Sequence, residues 1–394
     1  MLFEYPEKVI KIADILAKNG YRSYAVGGCI RDAVMGRIPN DWDMTTSCSP
    51  KKMLEIFEKE GVKTIPTGLK HGTVSILIDR EIYECTTFRI DGSYTDSRHP
   101  DKVTFTDELS EDLRRRDFTV NAMAGDPLSE NGEIVDIFGG RNDIENKIIR
   151  AVGDPEKRFT EDALRILRAI RFATVLDFEI ENDTKAAAKR LSSRLRDISA
   201  ERKSVELQKI LLSEHADRGI ALLLETDTAK FIHPDIALPK VPLNSLPLRF
   251  STRLAALFKG VPDLSQMKLS NEIVKQVKTL CDDSFFSENI SKFSDDGAKA
   301  RYMISKYREL AEDVALLRCD LSLAKKIRDE INKCPAVSLP ELAINGNDLL
   351  SSGIEARKLG EIMSSLLLSV IEYPDLNEKE KLIKIATMID QRRK

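Results

Sequence analysis

The sequence predicts an α+β protein: an amino-terminal head that mixes strands with helices, followed by an all-helical remainder. Three observations carry that prediction. Strand signals crowd into the stretch that ends at Phe105, and helical periodicity then runs almost unbroken from about Thr160 to Arg393. A chain of 394 residues is also too long for one ordinary core, so two to four domains are expected.

The elements follow in order. Tyr24, Ala25 and Val26 read as a short strand that ends at the pair Gly27-Gly28. Ile30, Ala33 and Val34 then recur at helical spacing until Gly36 and Pro39 stop the pattern. Further strands are expected over 42–45, 74–78, 82–87 and Val103–Phe105, with a helix over 50–60. In the helical remainder, proline-rich punctuation over 233–247, a Ser, Asp and Asn cluster over 282–296 and a softer break over 334–340 separate groups of helices.

Composition narrows the function. Charged residues make up 32% and the net charge is −3, so the chain lacks the bulk basic character of a nonspecific nucleic-acid coat, while a local basic stripe stays compatible. No apolar run reaches the roughly 18 residues of a membrane span, and the amino terminus, with Glu4, Glu7, Lys8 and Lys11, has no signal-peptide h-region. A cytoplasmic protein without a membrane span is expected. The six scattered cysteines form no Cys-x-x-Cys pair, and the four histidines form no His-Asp or His-x-x-x-His pair, which argues against a zinc cluster, a disulfide framework and histidine catalysis.

The densest chemistry lies at the first strand-to-helix turn. Gly27-Gly28 lets a phosphate approach the backbone, the helix start favours an anion, and Arg31 adds a cation. Asp41 and Asp43 flank Trp42, so strand alternation points both carboxylates to one face and the indole to the other. Two carboxylates on one face repel unless a cation lies between them, and oxygen ligands suit Mg²⁺. Each half alone also reads as an ordinary turn or a solvated surface; together, in this order, they point to triphosphate plus metal. The arrangement resembles the nucleotidyltransferase superfamily that includes DNA polymerase beta, and no P-loop motif occurs.

Further motifs extend the site. The run from Glu81 to Arg89 carries alternate acids, and Glu84 is the candidate for the further carboxylate that two-metal phosphoryl transfer uses; an edge-strand acid is the other reading. The polar segment from Asp91 to Pro100 is expected to be a flexible loop. Arg114-Arg115-Arg116-Asp117 precedes Asn121, which places donors and an acceptor on one side of an expected helix, though a triple arginine also suits a solvated face. Asp162, Arg165, Arg168 and Arg171 recur every third residue and form a polar ridge, with Ile166 and Ile170 toward a core. A surface helix with paired charges would share that pattern; the preference for Arg over Lys favours bidentate recognition.

Asp162 and Arg165 together have a chemical consequence. A carboxylate accepts from the exocyclic amine of cytosine or adenine while a guanidinium donates to the neighbouring ring acceptor. Guanine and uracil present the opposite pattern, and each buried group left unpaired costs roughly 1–3 kcal/mol. One pair of side chains can therefore read C and A and reject the rest.

Gly-Gly-x-x-Arg-Asp with Asp-Trp-Asp, then Arg-Arg-Asp-Phe-Thr-Val-Asn-Ala, then Glu-Asp-Ala-Leu-Arg-x-x-Arg-Ala-x-Arg-Phe, in this order, resemble the motifs of the class II CCA-adding enzymes, the tRNA nucleotidyltransferase and poly(A) polymerase family. The resemblance covers residues 21–178 closely. It implies a polymerase-beta-like catalytic head over 1–150, a base-recognising helical neck over 151–215, a helical body over 216–310 and a tRNA-binding helical tail over 311–394. It implies that Gly28 and Arg31 contact the triphosphate, that Asp41 and Asp43 bind Mg²⁺, and that Arg116 contacts the nucleotide. Asp162 and Arg165 would read the base edge with Arg168 and Arg171 in support.

The expected reaction is template-free addition of C, C and A from CTP and ATP to a tRNA 3′ end. An A-adding enzyme or poly(A) polymerase of the same family, and a catalytically silent RNA- or nucleotide-binding protein, are the alternatives. Lys189, Arg190, Arg194, Arg196, Arg202 and Lys203 are candidates for tRNA contact or, equally, a solvated helix face. The oligomeric state is not set by the sequence.

Overall fold

A computed structural model describes residues 4–92, 103–130, 132–283, 290–293 and 295–391. It divides into two compact units, Met1–Pro234 and Asp235–Lys394. The expected loop segment 93–100 lies outside the described residues; Asp91 and Gly92 lie within them.

The first unit is built on a seven-stranded mixed sheet in the order β3 (Lys63–Gly68), β4 (Thr73–Ile78), β5 (Glu81–Thr87), β2 (Met44–Thr46), β1 (Ser23–Val26), β8 (Ala124–Gly125) and β9 (Ile134–Val135). Only β2 and β5 pair in parallel, with Met44 opposite Cys85 and Thr45 opposite Thr86. A separate hairpin joins β6 (Arg89–Asp91) to β7 (Val103–Phe105). Helix α1 (Glu7–Lys18) buries Val9, Ile12, Ala13 and Leu16, the i, i+3, i+4, i+7 stripe of an amphipathic helix, and α3 (Pro50–Lys59) buries Met53, Ile56 and Phe57. These residues share one core with Met44, Val74, Ile76, Tyr83 and Cys85 of the sheet.

The strand signals were legible where apolar residues recur in the core: β4 buries Val74, Ile76 and Ile78, and β5 buries Tyr83 and Cys85. Strand β3 escaped because it contains Pro66 and buries no residue, so no apolar period marks it. The expected strand over 42–45 begins only at Met44, and Asp41, Trp42 and Asp43 lead into it outside regular structure.

Beyond the sheet, α4 (Leu109–Arg114) and α5 (Gly140–Glu145) complete the head, and α6 (Pro155–Glu161), α7 (Leu164–Leu176), α8 (Asn182–Arg190), α9 (Ala200–Leu211) and α10 (Ala216–Glu225) follow. A two-residue parallel pairing of Ile148–Ile149 with Glu179–Ile180 interrupts the helical run. Helices α7 and α9 pack together, with Ile166, Ile170, Leu207 and Ile210 all fully buried.

The second unit is helical throughout its described residues. Its carboxy-terminal cluster gathers Leu349, Ile362, Leu366, Val370, Leu382 and Ala386. Buried Arg301 closes the end of the helix Leu359–Glu372: Nε donates to the Ile371 carbonyl at 2.7 Å, Nη2 to that of Glu372 at 3.1 Å and Nη1 to Glu330 at 3.0 Å. A guanidinium there satisfies carbonyls that no further helical turn could reach.

Gly140 shows how tightly the head is assembled, because a Cβ there would lie 2.3 Å from the backbone carbonyl oxygen of Thr119. Backbone cannot rotate away as a side chain can. Gly140→Ala is expected to lower stability by roughly 1–3 kcal/mol, the usual cost of overpacking, measured by urea unfolding.

Candidate active site

Gly27 adopts φ 85° and ψ −128°, a conformation that residues with a Cβ avoid, and so turns β1 into α2 (Gly28–Val34). A Cβ at Gly27 would lie 3.1 Å from Nη1 of Arg116, so the glycine also admits that guanidinium. Arg31, one turn on, donates from Nη1 to Asn121 Oδ1 at 2.8 Å and from Nε to Asp32 Oδ1 at 2.9 Å.

Trp42 packs into the core against Tyr5, with ring centroids 5.6 Å apart, while Asp41 and Asp43 are exposed. The Val26 N–H donates to the Asp43 carbonyl at 2.9 Å, which fixes the backbone beside the glycine turn. The parallel register of β2 and β5 carries Glu84 alongside Asp43, because the next residues, Cys85 and Met44, face each other across the ladder. Surrounding protein raises the Asp43 carboxyl above its ordinary value, Glu84 raises it further, Arg116 opposes the shift and Asp41 adds to it. The three acids and Arg116 thus share one electrostatic neighbourhood. Among the described residues they do not close into a cage of three or more metal ligands.

The arginine run is not one helical side. Helix α4 ends at Arg114, Thr119–Asn121 is a short 3-10 turn, and the three arginines diverge. Arg114 is exposed against Glu111, whereas Arg115 and Arg116 turn inward to Asp112, at 2.8 and 3.3 Å. Asp112 is fully buried; burial pushes its carboxyl up, but Arg115 and Arg116 outweigh that and hold it below the usual range. Arg116 keeps a buried Nε with no hydrogen-bond partner in the described residues. Asp117 accepts from Asn121 Nδ2 at 3.3 Å and from Arg168 Nε at 2.8 Å. Burial pushes Asp117 up as well, yet Arg168, its Arg168 hydrogen bond and Arg165 win and hold it at about 2.

The ridge is also corrected at its start. Asp162 has extended backbone, φ −141° and ψ 105°, and stands in the break between α6 and α7 rather than on the helix. Its Oδ1 accepts the Leu164 N–H at 3.0 Å and its Oδ2 accepts from Arg202 Nη2 of α9 at 2.9 Å. Arg165 donates to Glu161 at 2.9 Å and to the Arg115 carbonyl at 3.1 Å. Asp162, Arg165, Arg168, Arg116, Asp117 and Arg202 come together around a cleft of about 270 Å³.

Arg31 and Arg171 do not line that cleft; with Phe172 they border an adjoining apolar groove of about 510 Å³. Arg171 lies 3.1 Å from Glu206 of α9 and 4.1 Å over the Phe172 ring. Sequence reasoning missed Asp112 and Glu206, and it placed Arg202 and Lys203 on an outer surface. Lys203 instead donates to the Phe231 carbonyl at 2.8 Å. The i, i+4 spacing of Arg202 and Glu206 was the available signal, since it matches a face that meets Asp162 just before α7 and Arg171 on it.

A mixed sheet with acids leading into a strand beside a glycine turn, followed by helices that line an arginine-rich cleft, defines a nucleotidyltransferase head with a helical remainder. Residues 23–150 match the model of the Poly A polymerase head domain, and residues 177–238 match that of the probable RNA and SrmB-binding site of polymerase A. The CCA-adding enzyme of Ligilactobacillus salivarius is 36% identical, with 96% of each chain covered, and that of Anoxybacillus flavithermus is 35% identical, with 98% of each covered. The crystal structure of the Bacillus stearothermophilus CCA-adding enzyme in complex with CTP superposes with a TM-score of 0.78 at 31% identity, covering 98% of both chains. This chain belongs to the CCA-adding enzyme family.

The depressed Asp117 carboxyl gives a pH signature. Its contribution to stability is fully present above the ordinary value of 3.8 and is lost as pH falls through about 2. Asp117→Asn is expected to remove about 2 kcal/mol at neutral pH and to flatten the acid limb of the stability curve, read by thermal unfolding from pH 7 downward.

Proposed function

We propose that this chain completes tRNA 3′ ends by adding C, C and A in turn from CTP and ATP, without a nucleic-acid template and with release of pyrophosphate. The observation that carries this reading is the cleft in which Asp162 and Arg165 stand beside Arg116, Asp117 and Arg168. Membership in the CCA-adding family supports it, as does the CTP bound by the relative from Bacillus stearothermophilus.

In this reading Gly28, Arg31 and Arg116 hold the triphosphate, and the unpartnered Nε of Arg116 is a donor in reserve for it. Asp162 accepts from the exocyclic amine of C or A while Arg165 donates to the ring acceptor. Arg168 supports the reader by fixing Asp117, and Arg171 supports it from the far end of the ridge by pairing with Glu206. Asp41 and Asp43 are the metal ligands, and Glu84 on the adjoining strand is the third carboxylate.

The donor set fits Mg²⁺. Burial first, and then the neighbouring Glu84 and Asp41 carboxylates, raise the Asp43 pKa, which a cation would relieve, and so few protein carboxylates would leave room for the water and phosphate oxygens that Mg²⁺ retains. Asp41 and Asp43 would hold the Mg²⁺, whose charge would favour deprotonation of the attacking 3′ hydroxyl and offset that of the leaving phosphates. The helical parts beyond the head would hold tRNA by shape and phosphate contacts. These substrates point to work in the cytoplasm, and no helix among the described residues is long and apolar enough to cross a membrane.

Purified protein given a tRNA that ends before CCA is expected to incorporate both nucleotides when CTP and ATP are supplied together. Incorporation from ATP but never from CTP would identify an A-adding specialist, and long A tails on unrelated RNA a poly(A) polymerase. No incorporation of either nucleotide would sink the proposal and favour a silent RNA-binding protein.

Asp41→Ala is expected to slow turnover at least about a hundredfold, in line with the several kcal/mol a catalytic metal contributes. Unchanged single-turnover rates would remove Asp41 from the metal site.

A further inference from the structure

The two oxygens of Asp162 are held differently. Oδ1 is tied to the backbone of its own turn through the Leu164 N–H, and Oδ2 is tied to a different helix through Arg202 Nη2 at 2.9 Å. Both side chains are largely shielded, with 15% of Asp162 and 24% of Arg202 exposed, and both line the cleft. Four residues further along α9, Glu206 lies 3.1 Å from Arg171. One face of α9 therefore meets α7 with a cation at the start of the ridge and an anion near its end.

We propose that Arg202 is a specificity-determining positioning residue: it fixes the rotation of the Asp162 carboxylate so that an acceptor faces the base edge. The proposal rests on the reading of Asp162 as the acceptor for the base amine. Each carboxylate oxygen has two lone-pair directions, so Oδ2 can accept from Arg202 and still present an acceptor to the cleft. Held by Leu164 alone, the carboxylate turns about its last torsion, which is broad and soft for aspartate. A reader that turns can meet a mismatched base in a less repulsive pose, so restraint at Oδ2 raises the energy of mismatches more than that of matches. Arg202 acts through Asp162. Its guanidinium is not the hydrogen-bond donor to the base ring; Arg165 has that role.

The planar guanidinium matters as well as its charge, even though only Nη2 meets the carboxylate. Arg202 supplies planar, directional donors, whereas a lysine ammonium is a point charge on a flexible stem. A lysine substitution is thus expected to recover part of the restraint and an alanine none.

The test compares Arg202→Ala, Arg202→Lys and Asp162→Ala with the unmodified protein, using tRNA that ends before CCA and each of the four nucleotides. The readout is kcat/KM for CTP on that tRNA, and for ATP on tRNA already ending in CC, each relative to UTP and GTP on the same acceptor. Arg202→Ala is expected to lower that ratio by about tenfold, the scale of one hydrogen bond of lost restraint, and Arg202→Lys to restore part of it. Asp162→Ala is expected to abolish it.

An undiminished ratio in Arg202→Ala, alongside a collapsed ratio in Asp162→Ala, would overturn the role of Arg202 and leave the base-reading assignment standing. A raised KM for tRNA with intact discrimination would instead make Arg202 a phosphate contact, and an equal fall in all four rates with a lowered Tm would make it merely structural; both overturn the proposal. Undiminished discrimination in Asp162→Ala would retire the base-reading assignment itself and the positioning role with it.

Discussion

The constraint on which the site depends is the charge on Asp117. A carboxylate only 9% exposed stays ionised only where guanidinium groups offset its desolvation, and here Arg168 does so with two contacts, at 2.6 and 2.8 Å. The other oxygen of Asp117 accepts from Asn121, whose own amide oxygen accepts from Arg31. A continuous chain, Arg31 to Asn121 to Asp117 to Arg168, therefore joins the glycine turn of the head to the middle of α7. Moving either end breaks a charge-assisted hydrogen bond, so the glycine turn and α7 keep a fixed separation.

A second constraint works on the opposite side of the same turn. The conformation of Gly27 brings β1 out beside the backbone of Asp43, and the bond from Val26 to Asp43 locks the two together. Trp42 then matters for what it buries: seated against Tyr5, it leaves its two acidic neighbours no alternative to the open face. Parallel pairing of β2 with β5 adds Glu84. Three like charges are thereby gathered by apolar packing and sheet register, not by attraction for one another. That destabilising arrangement is the kind a functional site retains.

Much of this was legible in the sequence because periodicity and residue type report burial directly. The alternation of Asp41, Trp42 and Asp43 matched the exposures found, acids out and indole packed inward, even though strand pairing starts only at Met44. Helical periodicity placed Ile166 and Ile170 in the core but carried Asp162 onto a helix it does not join. An aspartate two residues before a helix accepts a backbone N–H in an extended conformation, and a count of every third residue cannot distinguish that from a helical turn. Arg202 and Lys203 were illegible for another reason. Whether an arginine faces water or a buried carboxylate depends on a partner forty residues away in the chain, which local pattern does not encode.

The charged network also bears on fidelity. Rejecting a base by two mismatched hydrogen bonds costs roughly 2–6 kcal/mol only if the reading groups cannot find other partners when the wrong base arrives. Asp162 is held from two directions, and Arg165 is held by Glu161 and the Arg115 carbonyl, so neither is free to rotate toward a better pose. Preorganisation of this kind converts a modest hydrogen-bond preference into discrimination. The same logic limits what the pair can decide. Cytosine and adenine present the same amine beside the same ring acceptor, so under the proposed base reading Asp162 and Arg165 would exclude G and U but would not choose between C and A. In that reading the choice would have to come from the size of the base or the state of the 3′ end, acting on the cleft around these two side chains.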